Sequence, residues 1–142
     1  MTSKTVLIVY QDHLLVSSLS TFLHDIGYKV EAANRVSEMI RKIRKGHIPV
    51  VLMEDEVEGV KAFDLVPLFK NIHEKTQIIV ISSEVSLGLV KRLRGVGIFY
   101  QAMKPVDLEE IRSAIECAFE KIERESLKER FFPFLIPRRV PA

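Results

Sequence analysis

The chain has 142 residues, 47% of them apolar and 28% charged, with a formal net charge of +2. That composition fits one globular domain with a full core, excludes a disordered chain and leaves too little length for two ordinary domains. So small a charge gives no reason to invoke nucleic acid, and no run approaches the roughly 18 to 20 apolar residues that cross a bilayer.

Val6-Leu7-Ile8-Val9 is a β-branched-rich run with the character of a buried strand. It turns polar at Gln11 and Asp12, too soon for the apolar core of a signal peptide. Cys117 is the only cysteine, so no internal disulfide can form and a reducing, cytoplasmic compartment is the simpler assumption. Leu14, Leu15, Ser18, Leu19, Phe22, Leu23 and Ile26 then recur at helical spacing, and Gly27 closes that helix. Tyr28 to Ala32 reads as a second, shorter strand. From Val36 to Lys45 a helix turns Val36, Met39, Ile40 and Ile43 inward and four basic residues outward, and Gly46 ends it.

The alternation continues with a strand to Glu54, a helix from about Phe63 to Ile72, a strand to Ser82, a helix from Leu87 to about Leu93 and a strand from Ile98 to Met103. Pro67 is read as lying near the first turn of its helix, where a missing N–H sacrifices little. The last helix starts at Asp107, with Glu110 three residues on completing a capping box, and its inward face is Leu108, Ile111, Ala114, Ile115, Ala118 and Ile122. Cys117 on that helix is read as small core packing, and the scattered histidines as surface residues.

Five strands alternating with five helices imply an α/β fold: a doubly wound, five-stranded parallel sheet in the order 2-1-3-4-5 with helices on both faces. Sites in such sheets are built at the carboxyl ends of the strands. Three chemically useful side chains fall there: Glu54, Ser82 and Lys104 of Lys104-Pro105.

With this element order, the strand ends resemble a response-regulator receiver domain, a flavodoxin-like (CheY-like) fold, over about residues 4 to 124. In that family a phosphoacceptor aspartate opens the loop after the third strand. Glu54-Asp55-Glu56-Val57-Glu58-Gly59 aligns gap-free with that loop and puts Glu54 in the aspartate's place. Placing Asp55 there instead breaks the register of Gly59. Ser82 matches the family's strand-end hydroxyl, and Lys104-Pro105 its Lys-Pro pair. The two adjacent acids expected after the first strand fall on Tyr10 and Gln11, leaving Asp12 just beyond. The switch aromatic falls on Gln101, with Tyr100 one place earlier and so facing the other side of the strand.

Phosphoryl transfer to a carboxylate needs a positioned nucleophile and a divalent cation, and magnesium wants anionic oxygen ligands. Tyr10 and Gln11 supply none, and the extra methylene of Glu54 displaces its carboxylate from the productive position. The resemblance therefore implies a pseudo-receiver: a non-catalytic signalling module of a two-component or phosphorelay pathway, with no cofactor, acting through protein partners or a homodimer. Its pocket would comprise Glu54, Gln11, Asp12, Ser82 and Lys104, with Glu54 able to reach Lys104. Asp12 is either a leftover metal ligand or the N-cap of the first helix. The main rival is a working, magnesium-dependent phosphoacceptor using Asp55 or Glu54; a weaker one is a flavodoxin-like small-molecule binder.

Residues 125–142 read as a helix extension and an apolar tail. Lys121 to Arg130 is dense in alternating charges, a helix continuing into solvent. Phe131, Phe132, Phe134, Leu135 and Ile136 follow, punctuated by prolines that forbid a regular helix. Such a segment is expected to lie on its own domain or on a partner.

Overall fold

Two apolar faces on every inner strand organise the chain. The computed structural model describes residues 4–84 and 86–132. In chain order the elements are β1 (Thr5–Val9), α1 (His13–Asp25), β2 (Lys29–Ala33), α2 (Val36–Lys45), β3 (Val50–Glu54), β4 (Glu56–Val57), β5 (Val60–Lys61), α3 (Ala62–Ile72), β6 (Gln77–Ser82), α4 (Leu87–Gly95), β7 (Tyr100–Met103) and α5 (Leu108–Phe131). The main sheet runs β2-β1-β3-β6-β7 with every pairing parallel. Counting only its own strands, that is the order 2-1-3-4-5.

Because side chains alternate across a strand, Val6, Ile8, Val50, Leu52, Ile79 and Ile81 face α1 and α5, while Leu7, Val9, Val51, Met53, Ile78 and Val80 face α2, α3 and α4. All twelve are fully buried. Burial on both faces is why these strands read as continuous apolar runs rather than alternating ones. The sheet edges are more open: β2 exposes Lys29 and Ala32, and β7 exposes Tyr100.

Several details differ from the sequence reading. Leu14 is 82% exposed, because α1 begins at His13 and its inward stripe starts a residue later, on Leu15 and Leu19. Pro67 is the sixth residue of α3, inside the helix, so it removes the N–H that would reach the Phe63 carbonyl. Cys117 is exposed, since Ala114, Ile115, Ala118 and Phe119 take the buried phase of α5 and leave position 117 on the outer face. The capping box at Asp107 is half made: Asp107 accepts from the N–H groups of Glu109 and Glu110, whereas the Glu110 carboxylate accepts from the Tyr100 hydroxyl at 3.1 Å.

The loop after β3 folds into a two-stranded hairpin, β4–β5, that sequence reading left as loop. Its central residues, Glu58 and Gly59, both have positive φ (51° and 79°), the requirement of the tight hairpin turn whose twist matches the strands. Glu56 and Lys61 face each other across it in an ion pair of 2.9 Å. Glu58 then reaches the start of α2, where Arg35 makes no side-chain cap, and its carboxylate accepts from the Val36 N–H. No described helix is long and apolar enough to cross a membrane.

α5 runs without a break past residue 124 to Phe131. Lys75, in the turn before β6, donates to Glu129 on this extension. Of the tail residues, Phe131 and Phe132 are exposed, while Phe134, Leu135 and Ile136 lie outside the described residues.

Candidate functional site

The carboxyl ends of β1, β3, β6 and β7 converge on one edge, and strand parity decides which side chains meet there. Glu54 shares the parity of Val50 and Leu52, Tyr10 that of Val6 and Ile8, and Lys104 follows Ala102 by two residues. All three therefore leave the sheet on the side of α1 and α5. Glu54 Oε1 accepts from the Gln11 backbone N–H at 2.8 Å, and its Oε2 lies 4.0 Å from Lys104 Nζ. The Lys104 ammonium sits over the Tyr10 ring, 5.4 Å from its centroid.

Tyr10 is almost fully buried, and its phenol stays protonated above the usual range, chiefly because burial penalises the phenolate. Lys104 holds its proton above its usual value, first through a hydrogen bond with Tyr10 and then through the charges of Glu54 and Asp55. The lysine thus sits over an aromatic ring and faces a carboxylate. An ion pair this open to solvent contributes about 1 kcal/mol or less.

Ser82 and Gln101 share the opposite parity, that of Ile78 and Val80, and emerge on the side of α2, α3 and α4. The buried Ser82 hydroxyl accepts from Gln101 Nε2 at 3.1 Å. Tyr100 is turned to the other side of β7, against Glu110. Asp12 caps α1, its Oδ1 accepting from the N–H groups of Leu14 and Leu15 at 3.0 and 3.4 Å. Asp55 points toward the start of the β6–α4 loop: its Oδ2 accepts from the Ser83 backbone at 3.3 Å and the Ser83 hydroxyl at 3.5 Å.

The structure therefore brings Glu54, Gln11 and Lys104 together, makes Ser82 and Gln101 a separate pair, and gives Asp12 to the cap of α1 and Asp55 to Ser83. Tyr10 is the contributor that sequence reading did not place in the pocket. Its period-two relation to Val6 and Ile8 carried the signal, since it puts the ring on the same side as residue 54.

Comparison with known proteins adds a family match, two relatives and two solved structures. The family model of the response regulator receiver domain matches residues 6–116. Sporulation initiation phosphotransferase F of Bacillus subtilis is 22% identical over 82% of this chain and 94% of its own length. The DNA-binding transcriptional regulator NtrC of Azospirillum brasilense is 26% identical over 83% of this chain, which spans only 24% of that relative. Among solved structures, a CheY-like receiver domain protein from Methanospirillum hungatei superposes with a TM-score of 0.82 at 22% identity, covering 87% of this chain and 99% of that one. The beryllofluoride-activated NtrC4 receiver domain dimer does so at 0.79 and 25%, covering 84% and 98%.

Proposed function

The chain belongs to the response regulator receiver domain family, and on that premise we propose that it serves two-component-type signal transduction as a protein-contact module with a degenerate phosphoacceptor pocket. One observation carries this reading: the Glu54 carboxylate, at the acceptor position, is already engaged by the Gln11 N–H and faces Lys104 across 4.0 Å. A fixed negative charge occupies the place where an incoming phosphoryl group would be neutralised.

The donor set argues the same way for magnesium, which the family would imply. The position after β1 holds a buried tyrosine, the next offers only a neutral amide, and Asp12 is committed to its cap. Among the described residues no three His, Cys, Asp or Glu side chains converge as metal ligands. These residues do not fit a hard divalent cation, which wants several oxygen ligands, usually anionic ones. On this reading the module neither turns over a substrate nor cycles through a phosphorylated state. Its signal lies in which protein surface it presents, and the dimer described for the NtrC4 receiver supports a second copy of this chain as one candidate partner.

A pull-down from the native cell, run with and without prior treatment of the protein by magnesium and a small phosphodonor, tests the reading. The same partner should be captured at the same yield in both arms. A partner captured only after phosphodonor treatment would favour the rival, a working acceptor at Asp55 or Glu54.

A further inference from the structure

α5 outlasts the core it packs on. Ile122 is its last residue against that core, and the helix continues to Phe131, about 13 Å further. Leu127 on this extension is 47% exposed, and Phe131, one turn on, is 60% exposed. At about 100° per residue Leu127 stands opposite Ala118 and about 140° from Ile122. Leu127 and Phe131 therefore form an apolar stripe on the side of the helix turned away from the core.

The charges around the stripe are ordered. In Glu123-Arg124-Glu125-Ser126-Leu127-Lys128-Glu129-Arg130, residues equally far from the Ser126–Leu127 bond carry opposite charges: Glu123 and Arg130, Arg124 and Glu129, Glu125 and Lys128. Glu125 pairs with Lys121 at 3.9 Å and Glu129 with Lys75, so those acids are used within the fold. Glu123 and Arg130 are exposed, flank the stripe on the same side, and have no ion-pair partner among the described residues.

We propose that the stripe is an interface between two copies of this chain, their α5 extensions crossing antiparallel about the Ser126–Leu127 bond. The pairing rests on the protein-contact reading above and names the surface that a second copy uses. Two-fold symmetry brings the two Leu127 side chains together at the axis and lays Phe131 of each copy along the other's helix. It also sets Glu123 of each copy level with Arg130 of the other, on the flank where the two helices meet. Arg124 and Lys128, on the other flank, are long enough to turn their charges out to solvent. A parallel pair would align each residue with its own copy, setting Arg124 against Arg124 and Glu120 against Glu120 along the stripe, like charges that weaken association.

Analytical ultracentrifugation of the whole chain, in reducing buffer, tests the pairing. The wild type should sediment as a dimer at high micromolar concentration and Leu127→Glu as a monomer. Glu123→Arg and Arg130→Glu alone should each weaken the dimer at least about tenfold, since each sets two pairs of like charges together. An equimolar mixture of those two variants should dimerise as the wild type does, and so should the double variant Glu123→Arg/Arg130→Glu. Within one chain the two positions lie about 10 Å apart along the helix, so such a rescue acts between copies. No residue of the Glu54 pocket takes part: uptake of a phosphoryl group would defeat the pocket reading and leave the pairing standing. A monomeric wild type, a dimer that survives Leu127→Glu, or a mixture of the two charge variants that stays monomeric would overturn the pairing and leave the pocket reading intact.

Discussion

Replacing Gln101 by Met keeps the length of the side chain and removes the amide that donates to Ser82 Oγ at 3.1 Å. Ser82 is fully buried, so the cost is the lost bond plus the penalty of a buried hydroxyl without that partner, about 1–3 kcal/mol. Ser82→Ala removes the buried group itself, and the half-buried Gln101 can turn its amide to water, so that change should cost only about 0.5–1.5 kcal/mol. The double variant should lose less than the sum of the two, with a coupling of about 1 kcal/mol. For 142 residues, an unfolding entropy of about 2.1 cal/mol/K per residue makes 1 kcal/mol worth about 3 °C. Gln101→Met should therefore lower Tm by about 3–10 °C in differential scanning calorimetry. An unchanged Tm for Gln101→Met, or two single effects that simply add, would refute the view that this pair holds the β6 and β7 ends together.

The remaining predictions address the cap, the pocket and the helix phase. Asp12→Ala should destabilise by about 1 kcal/mol while Asp12→Asn stays close to wild type, because the side chain caps α1 and an amide oxygen caps equally well; thermal melts of the two variants check it. Tyr10, Tyr28 and Tyr100 all hold their protons above the ordinary phenol value, burial being the first cause at each. A group whose folded pKa is raised stabilises the fold below its unfolded value of about 10 and ceases to do so as pH climbs through the folded value. Lys104, also raised, acts in the same direction. Tm should thus hold level from neutral pH to about 10 and fall above it, with phenolate absorbance delayed until the fall; early phenolate growth in the folded protein would contradict this. Leu19→Ala should cost about 2–5 kcal/mol and Leu14→Ala no more than about 0.5 kcal/mol, since the first is fully buried and the second 82% exposed; urea unfolding separates them.

The architecture was legible because doubly buried strands announce themselves as apolar runs and the helices show clean stripes. Gly27 with positive φ, Gly46 at the end of α2 and Asp107 as a cap all stand where sequence reading puts them. The errors have local physical causes. Leu14 falls in the apolar stripe by spacing yet is exposed, because a stripe does not say on which residue its helix begins. The β4–β5 hairpin carries no plain turn signal, because Glu58, a residue that rarely takes positive φ, shares its turn with Gly59. In the pocket, Glu54 opposite Lys104 follows from two strand ends of like parity, and that parity was readable. The partnership of Lys104 with Tyr10 was not, because it depends on which buried ring fills the space beneath the ammonium.

The proposal that the pocket's own residues close it to phosphoryl chemistry is tested most directly by mass spectrometry of the intact protein after incubation with magnesium and a small phosphodonor. The mass should be unchanged, because Glu54 is engaged by Gln11 and faces Lys104 and, among the described residues, no set of anionic ligands converges beside it. A stoichiometric gain of one phosphoryl group, mapped to Glu54 or Asp55, would contradict it.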